Sequence, residues 1–154
     1  MKTNILKRAS VLTPLCIALA SAPISQAAVI NDSLGVPASS VNLFVLECPA
    51  GTHHISGNVT DRAPVHTPLV TLKMIKGTTK SETTDPVDGL EAQVNPPLIG
   101  EFPSATVNVN QGAGTYYLLV EKSGASTESY RVFVECRDSF NNPLAPVSGP
   151  SPAP

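Results

Sequence analysis

Three histidines are the most chemically versatile side chains of this 154-residue sequence. His53 and His54 are adjacent, and His66 lies 12 residues further along. Zinc and copper ions bind imidazole and thiolate groups and need three or four of them. Adjacent residues of a strand point to opposite faces, so His53 and His54 can share one ion only from a loop. No His-x-x-x-His or Cys-x-x-Cys spacing completes a ligand set. We therefore expect a solvated loop here, without a bound metal or cofactor.

Three carboxylates form a second candidate site. Asp85, Asp88 and Glu91 surround Gly89 in a polar stretch. Calcium binds carboxylate and carbonyl oxygens on flexible loops. The spacing does not follow the Asp-x-Asp-x-Asp-Gly pattern of a calcium loop, and Asp-Pro and Asp-Gly steps are typical of turns. A calcium ligand set and a solvated turn both remain open, and the composition favours the turn.

The sequence contains no residue pattern that is typical of hydrolytic catalysis. No serine lies in a Gly-x-Ser-x-Gly motif, and Ser56 after the two histidines matches no recognised arrangement. Paired carboxylates for glycoside chemistry lack support as well. We therefore predict that the protein is not an enzyme.

The first 27 residues resemble an export signal. Three basic residues occur within the first eight, and 11–22 is an apolar run without charge. Small residues follow, which predicts cleavage after Ala27, or otherwise after Ala28. The apolar run is shorter than the ~20 residues of a membrane-spanning helix, so we expect no membrane span. The sequence thus predicts a secreted or periplasmic protein, and Cys16 leaves with the signal.

Removal of the signal changes the charge and the cysteine count. Seven basic residues then face 12 acidic ones, a net charge of −5, which disfavours nucleic acids and anionic membranes as partners. The remaining cysteines, Cys48 and Cys136, predict one disulfide in an oxidising compartment. Each closes a similar strand at its C-terminal end. If the two bond, these strands run roughly parallel, side by side or across a sandwich.

Period-two alternation predicts an all-β fold. Strands are expected over 41–48, 53–59, 69–75, 105–110, 115–121 and 130–136, the last two as a hairpin. The polar stretch 77–89 and the prolines near 95–103 indicate loops. We therefore predict a small antiparallel two-sheet sandwich, jelly-roll-like, over 41–140. The segment 28–40 is expected to be a flexible lead-in, and the proline-rich tail 141–154 to stay disordered.

The end of the predicted domain resembles a known family. Residues 112–120 read Gly-Ala-Gly-Thr-Tyr-Tyr-Leu-Leu-Val, and 130–134 read Tyr-Arg-Val-Phe-Val. This pattern resembles the closing strands of bacterial pre-peptidase C-terminal domains. The resemblance implies a small jelly-roll-like sandwich of the kind attached to secreted enzymes, where it assists binding or maturation without catalysis.

These observations support several functions. The first is a secreted or periplasmic binding or accessory module that contacts a protein or a carbohydrate through loops 51–67 and 77–89. The second is a structural component of the cell envelope or surface, which meets other proteins through edge strands or the tail. The third is a metal carrier or small enzyme. Of the adjacent Tyr116 and Tyr117, one is expected in the core and one on the surface.

Overall fold

The computed structural model describes residues 27–62, 68–85 and 102–153, and within them the chain forms strands and no helix. The strands are β1 Ala28–Leu34, β2 Val41–Cys48, β3 His54–Arg62, β4 Val70–Lys76, β5 Thr79–Thr84, β6 Val107–Val109, β7 Gly114–Lys122, β8 Glu128–Arg137, β9 Pro143–Leu144 and β10 Ser148–Pro152. The predicted all-β class is confirmed.

Two antiparallel sheets make up the sandwich. Sheet A has the order β1-β8-β3-β6, and β9 also pairs with β8. Sheet B has the order β10-β2-β7-β4-β5. Every strand pair between described residues is antiparallel. The prediction of a two-sheet antiparallel architecture is therefore confirmed.

The core follows directly from the alternation of the central strands. On β2 and β7 every second side chain is buried between the sheets, including Leu46, Tyr116 and Leu118. Tyr116 is fully buried and Tyr117 is 45% exposed, as the adjacent positions predicted. The core is mostly aliphatic: it contains Ala28, Ile30, Leu34, Phe44, Leu46, Cys48, Ile55, Val59, Val70, Leu72, Met74, Val109, Tyr116, Leu118, Val120, Tyr130, Val132, Val134 and Cys136.

A disulfide joins the two sheets. Cys48 at the end of β2 bonds to Cys136 near the end of β8, and their Cα atoms are 5.7 Å apart. Since β2 lies in sheet B and β8 in sheet A, the bridge crosses the sandwich. Both strands run toward the bridge, so the predicted bond is confirmed, and of the two arrangements left open the strands adopt the one across the sandwich. We call this the disulfide end of the sandwich.

The predicted hairpin of the last two core strands is wrong. β7 pairs with β2 and β4, whereas β8 pairs with β1, β3 and β9, so residues 123–127 cross from one sheet to the other. The crossing is tied down by Lys122, whose buried ammonium donates to the carbonyl oxygens of Gly35 and Ser126. Both strands carry an apolar face, and these faces contribute to the same core from opposite sheets.

The expected flexible lead-in is also corrected. Residues 28–34 form β1, which pairs along β8 from Ala28 opposite Val134 to Leu34 opposite Glu128. Ala28, Ile30 and Leu34 are buried. Burial of these side chains and the shared backbone ladder fix the segment as a strand. The described fold therefore begins at residue 28 and not at 41.

The proline-rich tail is not the disordered segment that we expected. Its residues form β9 on β8 and β10 on the edge of sheet B, beside β2. The amide nitrogens of Val147 and Ala153 donate to the carbonyl oxygens of Glu47 and Leu43, both at 2.9 Å. Pro152 lies between these donors, at a ladder position whose nitrogen faces away from β2. An edge strand tolerates proline at such positions, which explains why the proline content was misleading.

Part of the expected loop 77–89 is a strand. β4 and β5 form a hairpin in which Lys76 pairs with Thr79, so only Gly77 and Thr78 make the turn. Gly77 has φ of 58°, and glycine with positive φ at the first of two turn positions is typical of a type II′ hairpin turn. β5 contains no apolar residue, and its backbone ladder with β4 compensates for that. Residues 86–89 lie outside the described residues.

We expect removal of the disulfide to lower stability strongly. The bridge spans 88 residues, and a covalent link of that length restricts the unfolded chain by roughly 4–5 kcal/mol. Urea denaturation of the mature Cys48→Ala/Cys136→Ala variant should show a loss of that order, and wild-type protein under reducing conditions should show a similar one. Two alkylatable thiols in the untreated mature protein would contradict the bridge.

Gly57 allows β3 to pack closely against sheet B. A Cβ at this position would lie 2.8 Å from Met74 Sδ and 3.1 Å from the carbonyl oxygen of Phe133. We expect Gly57→Ala to lower the free energy of unfolding by about 1–3 kcal/mol because neighbouring atoms must move. Gly149→Ala on β10 is the matched control, since no atom lies within 4 Å of its added Cβ. Equal midpoints in urea for the two variants would contradict this account.

Candidate functional site

The outer face of sheet A is largely polar. Asn31 Oδ1 accepts hydrogen bonds from Arg131 Nε at 3.2 Å and from Arg62 Nη1 at 3.4 Å. Nearer the disulfide end, Arg137 donates to Ser56 Oγ at 3.1 Å and forms an ion pair with Glu135. Polar side chains on this face thus bind one another. Its main apolar contact is the cross-strand pair Val29–Phe133.

The outer face of sheet B is different because six apolar side chains lie together on it. Leu43 is opposite Leu119, and Val45 and Ile75 flank Tyr117 from either side. None of the six is buried, and Leu43 and Tyr117 are 39% and 45% exposed. A contiguous exposed apolar patch marks an interaction surface more often than scattered apolar residues do. We call this patch the apolar face; it consists of Val41, Leu43, Val45, Ile75, Tyr117 and Leu119.

Polar side chains border the apolar face. Lys73 forms an ion pair with Glu121, and Lys80 forms one with Glu82 at 2.9 Å. The hydrogen bond to Glu121 raises the pKa of Lys73, and the hydrogen bond from Lys80 lowers the pKa of Glu82. The Lys80–Glu82 pair is exposed and contributes little to stability, whereas the Lys73–Glu121 pair is half-buried. An apolar centre with a polar rim is the usual composition of a protein–protein interface.

A shallow groove of about 340 Å³ adjoins the apolar face at the edge formed by β1, β2 and β10. We call it the edge groove; it is lined by Asp32, Asn42, Leu43, Phe44, Pro152 and Ala153. Asn42 Nδ2 lies 3.1 Å from Asp32 Oδ2, 3.1 Å from the carbonyl oxygen of Ser33 and 2.7 Å from the hydroxyl of Tyr130. Burial raises the pKa of Tyr130, so its hydroxyl stays protonated. The groove thus combines apolar walls with a polar floor.

The two adjacent histidines lie at the disulfide end. His53 precedes β3 and His54 begins it, so strand alternation does not separate them, and their Nδ1 atoms are 3.3 Å apart. Partial burial lowers the pKa of His54, and the charges of His53 and Arg137 lower it further. Within the described residues no group of three or more His, Cys, Asp or Glu side chains could hold a metal ion. His66 lies outside those residues.

Asp85 forms hydrogen bonds with the backbone of both β3 and β4. Its Oδ2 accepts the amide of Asp61 at 2.6 Å, and its own amide donates to the carbonyl oxygen of Val70 at 2.9 Å. Asp85 is buried, in contrast to the solvated turn that we expected. Asp88 and Glu91 lie outside the described residues, so calcium binding by the three carboxylates stays a prediction.

The apolar face was not among the binding surfaces predicted from the sequence, which were loops, edge strands and the tail. The signal was present in β2 and β7, because Leu43, Val45 and Leu119 give these strands apolar residues at inward and outward positions alike. A strand with one solvated face normally alternates with polar residues. Most of the predicted binding loop 51–67 is strand β3, whose Asp61 meets Asp85 of the other predicted loop.

Comparisons with known proteins show no family for this chain. No protein-family model matches the chain, and no curated protein matches it. Among solved structures, a pentameric capsid protein isolated from metagenomic phage sequences is 13% identical, with 77% of this chain and 75% of that chain covered at a TM-score of 0.33. A second crystal structure of such a protein is 11% identical, with coverage of 77% and 66% at a TM-score of 0.34. TM-scores this low do not establish a common fold. Nor does the described part of the chain contain a helix long and apolar enough to span a membrane.

We expect the lowered pKa of His54 to make stability depend on pH. Below the ordinary value of 6.5 the unfolded chain binds a proton before the folded protein does, so stability falls as the pH drops through this range. Urea denaturation at about pH 7.5 and about pH 5 should therefore show a larger loss for wild type than for His54→Gln. The lowered pKa of Asp138 acts at more acidic pH. Equal losses for both proteins would contradict this role of His54.

Proposed function

We propose that this protein is an exported, non-catalytic module that binds another protein through the apolar face of sheet B. The observation that carries the proposal is the grouping of six apolar side chains on one exposed sheet face. Three of them, Leu43, Tyr117 and Val41, are 39–47% exposed. Docking on a partner would remove this surface from water, which stabilises the complex by about 25 cal/mol per Å² of buried apolar area before the entropy of association is subtracted.

The position of the first strand supports the export part of the proposal. Cleavage is predicted after Ala27, and β1 starts at Ala28. On β8, Ala28 pairs with Val134, while Leu144 of β9 pairs with Cys136 two residues further on. β9 therefore occupies the ladder position that the chain before Ala27 would need to extend β1. The described strands therefore need no pairing partner from the predicted export signal. The disulfide fits an oxidising compartment.

A matched pair of double variants tests the proposal. Leu43→Lys/Leu119→Lys places two charges on one cross-strand pair of the apolar face. Val29→Lys/Phe133→Lys does the same to the exposed apolar pair on sheet A. We expect wild-type protein in the exported fraction of the producing cell to sediment as a complex larger than the purified monomer. The first variant should sediment as a monomer, and the second should keep the complex.

Three results would contradict the proposal: a monomer in the exported fraction of the wild type, equal sedimentation of the two variants, or a mature protein that begins at Met1. Circular dichroism and urea denaturation establish that both variants fold. All four substituted positions are partly exposed, so the lysines can extend into water.

A further inference from the structure

The imidazole rings of His53 and His54 converge at the disulfide end. Their Nδ1 atoms are 3.3 Å apart, and the ring planes lie at 86° to each other. Zinc binds imidazole nitrogens at about 2.0–2.1 Å in a tetrahedral arrangement, which places two ligand nitrogens of one ion roughly 3.3–3.4 Å apart. The observed separation therefore matches that of two ligands on one zinc ion. A small rotation of either ring turns both lone pairs toward such an ion.

Backbone hydrogen bonds hold the two histidines in place. The amide of His53 donates to the carbonyl oxygen of Arg137 at 2.7 Å, and the carbonyl oxygen of His53 accepts the amide of Gly112 at 3.1 Å. His54 is paired with Arg137 in the ladder between β3 and β8. His53 is exposed and His54 is half-buried, so an ion can reach the pair from solvent. The pair is therefore both fixed at the backbone and accessible.

The side chain of Asn141 positions the ring of His54. Burial lowers the pKa of His54, and a hydrogen bond to the side chain of Asn141 opposes this effect. Asn141 itself is fixed, with φ of 66°: its amide donates to the carbonyl oxygen of Asp138 at 3.1 Å, and its carbonyl oxygen accepts Arg137 Nη1 at 2.8 Å. A metal-binding histidine usually donates its second ring N–H to such a fixed oxygen. The residue that would orient a zinc ligand is therefore present.

The charges around the pair suit a cation, but the ligand set is only half complete. The carboxylate of Asp138 lies near His54, and the positive charge of Arg137 is balanced by its ion pair with Glu135. A zinc site made of protein ligands alone has four of them. Among the described residues the two histidines belong to no group of three or more side chains that could hold an ion. Two further ligands must therefore come from elsewhere.

We propose that His53 and His54, oriented by Asn141, form half of a zinc site, and that the same two histidines of a second copy of this chain complete it across a two-fold axis. Zinc replaces the hydrogen bond between the Nδ1 atoms, and both rings then carry their proton on Nε2. The four imidazoles supply the ligand number and type that zinc accepts. The contact would also cover Phe140, which is 84% exposed beside Asn141. It goes beyond the proposed function, because it does not use the apolar face, and it contradicts the sequence-based expectation of a loop without a metal.

Zinc-dependent dimerisation tests the proposal. At about pH 7.5, where imidazole ligands are unprotonated, purified mature protein should be monomeric in EDTA and dimeric with zinc chloride. Sedimentation and metal analysis should give one zinc ion per two chains. We expect zinc to strengthen association about a hundredfold, the effect of an ion at a hundred times its dissociation constant from the dimer. His53→Gln and His54→Gln should each stay monomeric with zinc, whereas the matched control His66→Gln should dimerise like wild type.

Cobalt in place of zinc reports the geometry of the site, because tetrahedral Co²⁺ absorbs visible light far more strongly than octahedral Co²⁺. We expect the tetrahedral spectrum for wild type and its loss in His53→Gln. Asn141→Gly keeps the positive φ, which glycine adopts readily, and removes the side-chain amide. We expect this variant to bind zinc about tenfold more weakly, as is typical when the partner of a ligand is lost. Urea denaturation in EDTA establishes that each variant folds.

Several outcomes would overturn the proposal. These are zinc binding by His53→Gln as tight as that of wild type, one zinc ion per monomer, and loss of the zinc dimer in His66→Gln. Unchanged zinc affinity of Asn141→Gly would overturn the orientation of His54 by Asn141.

The zinc contact and the proposed function fail separately. Leu43→Lys/Leu119→Lys alters the apolar face and leaves the histidines in place, so this variant should still dimerise with zinc. His53→Gln should keep the complex of the exported fraction in EDTA, because the apolar face is intact. A variant of the apolar face that folds but no longer dimerises with zinc would contradict the proposed seat of the second copy.

Discussion

The bond between Cys48 and Cys136 is the constraint on which the arrangement of the sandwich depends. It links an inner strand of each sheet, β2 and β8, and therefore fixes the two layers relative to each other at one end. The core it closes is built mostly from Val, Leu and Ile side chains and lacks tryptophan. A link worth roughly 4–5 kcal/mol is a large fraction of the 5–15 kcal/mol that stabilises a typical domain. A domain with such a link tolerates exposed apolar side chains that do not stabilise its fold.

The apolar face consists of such exposed side chains. Leu43 and Leu119 pair across β2 and β7 on the outside, while Phe44 and Leu118 pair on the inside. Both faces of these two strands are thus apolar, although only the inner one contributes to the core. Outward leucines remain partly exposed, so they stabilise the isolated domain less than the buried inner pair does, and they increase its tendency to associate. The apolar residues on the outer face therefore support the proposal that this face has a partner.

Alternation in the sequence was enough to predict the fold class and that one of Tyr116 and Tyr117 is buried, and the even cysteine count after export predicted the disulfide. It was not enough for strand pairing, because β7 and β8 have the same pattern whether they share a sheet or face each other across the core. β1 was missed because Asn31, Asp32 and Ser33 interrupt its apolar residues, and β5 because it has none. The distance between the two adjacent histidines could not be predicted either. His53 approaches His54 because β3 begins between them, and the sequence does not show where that strand begins.

Pro152 limits how the edge of sheet B can pair. In β10, Pro152 occupies a position whose nitrogen faces away from β2, so the strand pairs on one side and offers no donor there to a further strand. The edge is thereby protected over the length of β10. The apolar face next to this edge is still exposed, and an exposed apolar surface promotes association unless a specific partner covers it. Leu43 lines the edge groove and belongs to the apolar face, so a partner that covers the apolar face lies directly beside β10.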